Sequence, residues 1–155
     1  MTKLVPILNF EEGYKEKVYR DTEGYPTIAG GIKIGPKGAA LSNYTFTVPR
    51  VVGDVWKQYM IDTKTAEMKK RPDIAKALLK CNDARADILY SMAYQMGVAG
   101  LDYFKTTLRL IAEEQYAKAG DAMLNSLWAK QTPERAKRHA EVMKTGTYDA
   151  YKGLI

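Results

Sequence analysis

The stretch from residue 11 to residue 31, EEGYKEKVYRDTEGYPTIAGG, gathers residue types that can cleave a glycosidic bond. Two carboxyl groups in different surroundings suffice for that reaction. One stays protonated and gives its proton to the leaving oxygen, and the other stays ionised and activates water or attacks the sugar. Glu12 would be the acid, Asp21 the ionised partner and Thr27 the hydroxyl that holds a water. Taken alone, the spacing favours ordinary roles for these residues: a helix-end acid, a turn aspartate and a strand threonine.

The elements that must position these three side chains are a helix end and a hairpin. Leu4, Ile7 and Leu8 have the spacing of a short amphipathic helix, whose apolar stripe continues onto Glu11 and Glu12 before Gly13. Two short strands, KVYRD and YPTIAGG, are predicted on either side of the turn-forming TEG, with Pro26 at a strand start or on an edge strand. A helix end and both arms of one hairpin can therefore converge.

Helices dominate the chain from about residue 50 onward. Residues 84–96 are apolar nearly all the way round, which predicts a central buried helix. Further helices are predicted at about 103–114, 116–128 and 133–144, the last with Thr132 as N-cap and Pro133 at its first position. The first of the helical segments, running towards a break at Pro72, carries one apolar face made of Val51, Val52, Val55, Trp56 and Tyr59. A small β element followed by many helices indicates an α+β fold.

Single copies of cysteine and histidine exclude several kinds of chemistry. Cys81 allows no intramolecular disulfide, and His139 allows no histidine-rich zinc site. A nucleophilic Cys81–His139 pair remains open, but neither residue lies in a supporting motif. We expect a buried thiol and a histidine on a helix surface.

The net charge of +6 suggests an acidic partner, which could be nucleic acid, an anionic membrane or an anionic cell-wall polymer. The charge is spread along the chain, and no basic stripe interleaved with aromatic residues indicates nucleic-acid binding. The loop IGPKGAALSN lacks the Gly-Lys-Ser/Thr ending of a phosphate-binding loop.

Motifs at both ends of the chain are similar to those of the T-even bacteriophage lysozymes, the phage-type lysozyme family. Glu12-Gly13 and DTEGYPTI (21–28) match the N-terminal signature of that family. The C-terminal half matches through YQMG (94–97), TTLRL (106–110), LW (127–128), QTPERAKR (131–138) and TGTYDAYKGL (145–154). The similarity covers roughly residues 4–35 and 82–155.

This resemblance implies a lysozyme-like fold with a small N-terminal β-hairpin lobe (about 1–55), a connecting helix (about 51–70) and a larger helical lobe (about 71–155). A saccharide cleft would lie between the lobes. The implied reaction is hydrolysis of the β-1,4 bond between N-acetylmuramic acid and N-acetylglucosamine in peptidoglycan. Glu12 would be the proton donor, Asp21 its partner carboxylate and Thr27 the water-holding hydroxyl.

The resemblance also implies a set of substrate-binding positions. Arg135 matches an arginine that pairs with the acid across the cleft, and Gln95 falls on a glutamine of the family. Tyr94 falls where the family has an aromatic cleft residue and Thr107 falls on a serine at the saccharide site, although simple packing explains both equally well. Lys33 replaces a leucine at the cleft and is the fifth predicted substrate-binding residue.

Three further positions depart from the family pattern. Ile32 stands where the family has a histidine, Ala29 stands where it has a glycine, and Ala122 stands at an asparagine that contacts saccharide. These departures concern subsites and stability rather than the reaction, because the acid, the aspartate and the threonine remain.

The expected context is that of a phage endolysin. Residues 4–10 are apolar but too short to span a bilayer or act as a signal peptide. We therefore expect a monomer in the host cytoplasm, without stable membrane insertion, that reaches the periplasm and cell wall at lysis through a membrane-permeabilising holin. Peptidoglycan glycan strands are the expected partner, and no nucleic acid, metal or organic cofactor is expected. The alternative is a lysozyme-like tail or regulatory module that has lost activity, which the three retained catalytic positions disfavour.

Overall fold

The structure is a computed structural model that describes all 155 residues. It contains a three-stranded antiparallel sheet in the order β1-β2-β3 and nine α-helices, which confirms the predicted α+β class. The elements are α1 (Leu4–Glu12), β1 (Lys15–Arg20), β2 (Pro26–Ala29), β3 (Ile32–Lys33), α2 (Arg50–Met68), α3 (Pro72–Leu78), α4 (Asp83–Met96), α5 (Val98–Asp102), α6 (Lys105–Ala112), α7 (Tyr116–Leu124), α8 (Leu127–Gln131) and α9 (Pro133–Thr145). Short 3-10 turns lie at Leu41–Asn43 and Asp149–Tyr151.

The chain divides into two compact units, and the boundary falls inside α2. One unit is formed by residues 5–60, and the other by residues 61–155 together with residues 1–4. No helix combines the length and the apolar character that crossing a membrane requires.

The unit of residues 5–60 is built around the sheet. Its buried apolar centre consists of Ile28, Ala29, Ile32 and Val48, against which Trp56 and other half-buried side chains pack. The first helix ends at Glu12 and the second strand begins at Pro26, as predicted. The third strand, only two residues long, was not predicted.

In the unit of residues 61–155, the central helix is α4, whose buried residues include Ile88, Leu89 and Met92, as predicted. Helix α9 packs against α4, α7 and α8, and α6 packs against α3 and α7. The predicted helix over 116–128 is wrong in one respect, because it breaks into α7 and α8. Ser126 starts the new helix, since its Oγ accepts from the amide of Ala129 at 3.2 Å and donates to the carbonyl of Met123 at 2.7 Å.

Helix α2 forms where it was predicted, but the apolar face read from the sequence is not its buried face. Val51, Val55 and Tyr59 are 75%, 71% and 71% exposed. The buried stripe instead runs through Gly53, Lys57, Ile61 and Met68. Gly53 belongs to this stripe because a Cβ there would lie 2.2 Å from the hydroxyl of Tyr14, which donates to the carbonyl of Val48 at 2.8 Å.

Helix α9 begins at Pro133 after Thr132, as predicted, but the side chain of Thr132 does not cap it. Its hydroxyl donates instead to the carbonyl of Trp128 in α8, at 3.0 Å. The close succession of two helices explains the difference, because the same carbonyl also accepts from the backbone amide of Thr132, at 2.9 Å, and so lies within reach of the hydroxyl.

Candidate active site

One face of the sheet collects three of the predicted site residues. The strand register places Thr27 of β2 between Tyr19 of β1 and Lys33 of β3, and residues that pair across strands project to the same side. Asp21 follows Tyr19 by two residues, so the strand alternation returns it to this side. Its Oδ2 lies 3.9 Å from Nζ of Lys33. The structure therefore brings Asp21, Thr27 and Lys33 together.

Asp21 has a structural role as well as a position on this face. Its Oδ1 accepts hydrogen bonds from the amides of Glu23 and Tyr25, both at 2.9 Å, and so builds the turn between β1 and β2. Asp21 can therefore form the turn and also present a carboxylate oxygen on the face of the sheet that carries Thr27 and Lys33. One oxygen organises the turn while the other points towards Lys33.

Lys33 is held by its surroundings although it is exposed. Its ammonium lies 3.3 Å from Oε2 of Glu23 and 4.2 Å from the ring centroid of Tyr25. A cation over an aromatic face is attracted by the ring quadrupole. The leucine expected from the resemblance could make neither contact, so this position adds positive charge beside Asp21.

Thr27 is almost fully buried, with 2% of its surface exposed. Its hydroxyl donates to the carbonyl of Tyr25 at 2.8 Å. A threonine hydroxyl has one hydrogen and two acceptor lone pairs, so Thr27 can accept a hydrogen bond from a water but has no hydrogen left to donate to it. A water held here would have to donate its second hydrogen bond to another acceptor, and the carboxylate of Asp21 is such an acceptor.

Glu12 is the last residue of α1 and is half-buried. Its side chain lies beside Gly31, in the turn after β2: a Cβ built on Gly31 would lie 3.2 Å from Cβ and 3.4 Å from Oε2 of Glu12. Burial raises the pKa of Tyr19, and the charges of Glu12 and then of Asp21 raise that pKa further. Both carboxylates are therefore close enough to act on the same phenol.

The remaining predicted residues lie in the unit of residues 61–155. Gln95 of α4 accepts a hydrogen bond from the indole of Trp128 at 2.8 Å. Arg135 of α9 is buried and donates to the hydroxyl and the carbonyl of Ser91, at 3.0 and 3.3 Å. Tyr94 is half-buried on α4. The side chains of Gln95 and Arg135 thus take part in internal hydrogen bonding.

Thr107 and Ala122 line one cavity of about 280 Å³. Aromatic side chains of Tyr103, Phe104 and Trp128 form part of its wall. Both residues fall on positions that the resemblance assigned to saccharide contact, and they are 15 residues apart in the sequence. Cavities lined by aromatic residues with a few polar groups are typical of ligand sites.

The prediction that His139 lies on a helix surface is wrong. Its ring is fully buried, with Nε2 2.8 Å from the hydroxyl of Ser91 and Nδ1 2.8 Å from the hydroxyl of Tyr151. Burial lowers its pKa well below the ordinary value, and the charges of Arg135 and Arg138 lower that pKa further. The imidazole is therefore neutral at physiological pH.

Cys81 cannot act as a nucleophile with His139. Both ring nitrogens of His139 face other residues, and Sγ of Cys81 lies 3.3 Å from the carbonyl of Ala77. Burial raises the pKa of the Cys81 thiol to about 12, so a thiolate is scarce at neutral pH.

Sequence reasoning missed Lys57, which is 0% exposed in α2 and contacts both α1 and the turn that supports Glu12. A signal was available. Gly53, Lys57 and Ile61 recur every four residues, the spacing of one helix face, with the lysine in the middle. Because lysine is seldom fully buried, the sequence favours the apolar residues beside this stripe as the buried face of the helix.

The chain is similar to known proteins over most of its length. The phage lysozyme family profile matches residues 9–141. A probable T4-type lysozyme 1 of Dictyostelium discoideum is 31% identical over 98% of this chain and 99% of its own length. The pre-baseplate central spike protein Gp5 of Enterobacteria phage T4 is 30% identical over 96% of this chain and 28% of that protein. The peptidoglycan hydrolase gp36 of Pseudomonas phage phiKMV is 27% identical over 81% of this chain and 13% of that protein.

The match to the family profile and the names of these relatives support a glycoside hydrolase of the lysozyme class. The chain belongs to the phage lysozyme family, whose profile covers most of its length.

Proposed function

We propose that the protein is a muramidase that hydrolyses the β-1,4 bond between N-acetylmuramic acid and N-acetylglucosamine in peptidoglycan. The observation that carries the proposal is the arrangement around Tyr19. The charges of Glu12 and Asp21 both act on this phenol, and Thr27 is its partner across the sheet. Two carboxylates and a buried hydroxyl near one strand provide the groups that glycosidic hydrolysis needs.

In the proposed mechanism Glu12 is the general acid. It gives a proton to the glycosidic oxygen as the bond to the sugar breaks. Asp21, through the oxygen that does not form the turn, accepts a proton from the attacking water. Thr27 accepts a hydrogen bond from the water's other hydrogen, which stays on the water, and this is the only role that its hydroxyl can take while it donates to Tyr25. Water then adds to the face opposite the leaving group, so the configuration inverts.

We assign saccharide contact to Lys33, Tyr94, Gln95, Thr107 and Arg135. Lys33 and Arg135 would contribute positive charge towards an anionic wall polymer, consistent with the net charge of +6. We also propose that the protein acts as an endolysin, crossing from the host cytoplasm to the periplasm and wall with the help of a holin, and that it works as a monomer without metal or organic cofactor.

Activity on purified peptidoglycan, with matched variants of two adjacent acids, tests the proposal. Glu12→Gln should abolish release of reducing ends, because an amide cannot donate the proton, while thermal unfolding stays cooperative. Glu11→Gln is the control, since it removes the neighbouring carboxyl, and should retain most of the activity. Equal losses of activity in the two variants would mean that Glu12 is wrongly assigned as the general acid. A wild-type protein that binds peptidoglycan without cleaving it would support the alternative, a lysozyme-like module without activity.

A further inference from the structure

Lys57, in α2, joins α1, which ends at Glu12, to the turn between β2 and β3. Its ammonium donates to the carbonyl of Gly30 in the turn between β2 and β3 and, at 3.3 Å, to Oδ1 of Asn9 in α1. The amide of Asn9 in turn donates to Oδ1 of Asp54 at 2.7 Å, one turn before Lys57 in α2. A fully buried charge is tolerated only where such partners replace water, so these contacts hold the side chain in one place.

The turn that Lys57 contacts is under conformational strain. Ala29 has a φ of 57°, and Gly31 has a φ of 90°. For a residue other than glycine the left-handed region is unfavourable because Cβ approaches the following carbonyl oxygen, so other contacts must help to hold the turn in this shape. Gly30 leaves room for the ammonium, because a Cβ there would lie 2.0 Å from Nζ of Lys57. The contact with the Gly30 carbonyl is therefore the anchor of the turn.

The anchored turn includes Gly31, and the side chain of Glu12 occupies the space beside it, since a Cβ built on Gly31 would lie 3.4 Å from Oε2 of Glu12. The second anchor of Lys57, Asn9, lies three residues before Glu12 on the same helix. Residues three apart lie on neighbouring positions of one helix face. Lys57 thus holds both the helix that carries Glu12 and the turn that limits where the Glu12 side chain can go.

We propose that Lys57 is a positioning residue for Glu12, acting through the Gly30 carbonyl and the side chain of Asn9. This rests on the proposed role of Glu12 as the general acid. Lys57 itself is buried and touches no substrate. Its contribution is to keep the carboxyl at the distance from which the leaving oxygen can be protonated, and a displacement of about 1 Å in such a group can cost about 10²-fold in rate.

The test compares two substrates that differ in their need for an acid. Lys57→Met keeps the length of the side chain and removes every donor. On native glycan strands its kcat should fall at least about tenfold, with KM changed less than about twofold. On an aryl glycoside of the same sugar with a nitrophenolate leaving group, which departs without protonation, kcat should fall less than about threefold. Lys64→Met, a lysine in the same helix, is the control and should match wild type on both substrates.

A structural defect would lower kcat on both substrates by the same factor, and that result would overturn the proposal, as would a wild-type kcat on native strands. If Lys57→Met does not fold, Asn9→Ala replaces it. This variant removes one acceptor, keeps the contact with Gly30 and should show the same contrast between substrates to a smaller degree. Glu12→Gln measured in parallel separates the two hypotheses. If it retains activity on native strands, the assignment of the acid fails; if only Lys57→Met retains activity, the positioning role alone fails.

Discussion

Each of the two units holds a fully buried basic side chain, and the two are held in opposite ways. The neighbours of Lys57 in residues 5–60 are a backbone carbonyl and an amide oxygen, which only accept hydrogen bonds. Those of His139 in residues 61–155 are the hydroxyls of Ser91 and Tyr151, which can donate or accept. An ammonium has three donors and no acceptor, whereas a neutral imidazole has one of each. The surroundings of Lys57 therefore suit a charged group, and those of His139 suit a neutral one.

Two tautomers of His139 fit its hydrogen bonds. Arg135 donates to the Ser91 hydroxyl, which still has its hydrogen and a second lone pair to offer to Nε2 of His139. The Tyr151 hydroxyl can likewise donate to Nδ1 or accept from it. The comparison shows that the charge state of a buried basic side chain follows from whether its partners donate or accept hydrogen bonds, and not from its burial alone.

The largest expected effect comes from disturbing the site of the charged group. Gly30→Ala places a methyl 2.0 Å from Nζ of Lys57 and 2.4 Å from Oδ1 of Asn9. The ammonium must move away from its acceptors, and we expect a loss of about 3 kcal/mol in the free energy of unfolding. Gly100→Ala, whose new methyl would meet only the flexible side chain of Met96, is the control and should cost less than about 1 kcal/mol. Urea unfolding measures the stability of both variants. Equal losses of stability would mean that the contacts of Lys57 do not make Gly30 more sensitive to substitution than Gly100.

A smaller effect is expected at the neutral site. His139→Leu replaces the imidazole by an apolar side chain of similar size and removes one hydrogen-bond partner from each of two buried hydroxyls, those of Ser91 and Tyr151. We expect a loss of about 2 kcal/mol, the cost of unsatisfied buried polar groups. Lys137→Leu, on the exposed face of the same helix, should change stability by no more than about 0.5 kcal/mol. If the two variants were equally stable, the Ser91–His139–Tyr151 contacts would contribute nothing.

The smallest effect should appear as a pH dependence. The pKa of His139 is lowered in the folded protein, so below pH 6.5 the unfolded chain binds a proton that the folded protein does not. Stability contributed by this group is complete above about pH 6.5 and declines at lower pH, by at most about 1.4 kcal/mol for each pH unit. The stability difference between wild type and His139→Leu should therefore shrink from pH 7.5 to pH 5.5. A difference that stays constant would mean that His139 has the same pKa in the folded and in the unfolded protein.

Local signals in the sequence were enough for most of the element boundaries. Glycine after Glu12 and proline at positions 72 and 133 fix helix ends through backbone conformation alone, and the hairpin follows from its turn residues. The face of the hairpin that carries Asp21 and Thr27 was predictable for the same reason, because strand alternation is a local property.

Long-range partners account for what was missed. The burial of His139 depends on Ser91, which lies 48 residues earlier, and the burial of Lys57 depends on Asn9 and Gly30. Nothing local distinguishes such side chains from exposed ones. The face of α2 was misjudged in the same way: the valines at 51 and 55 are exposed while a lysine is buried, because acceptors for its charge come from elsewhere in the chain.

The anomeric form of the first product tests the central claim most directly. If Asp21 and Thr27 hold the attacking water, the Glu12 and Asp21 carboxyls must lie roughly 6.5–9.5 Å apart to leave room for it. The anomeric configuration of the product is then inverted relative to that of the substrate. Proton NMR of the reducing end released from peptidoglycan strands, recorded before mutarotation, distinguishes the two outcomes. The account predicts the α-anomer as first product. A β-anomer would indicate a covalent intermediate on the carboxylate and would contradict the water-holding role of Thr27.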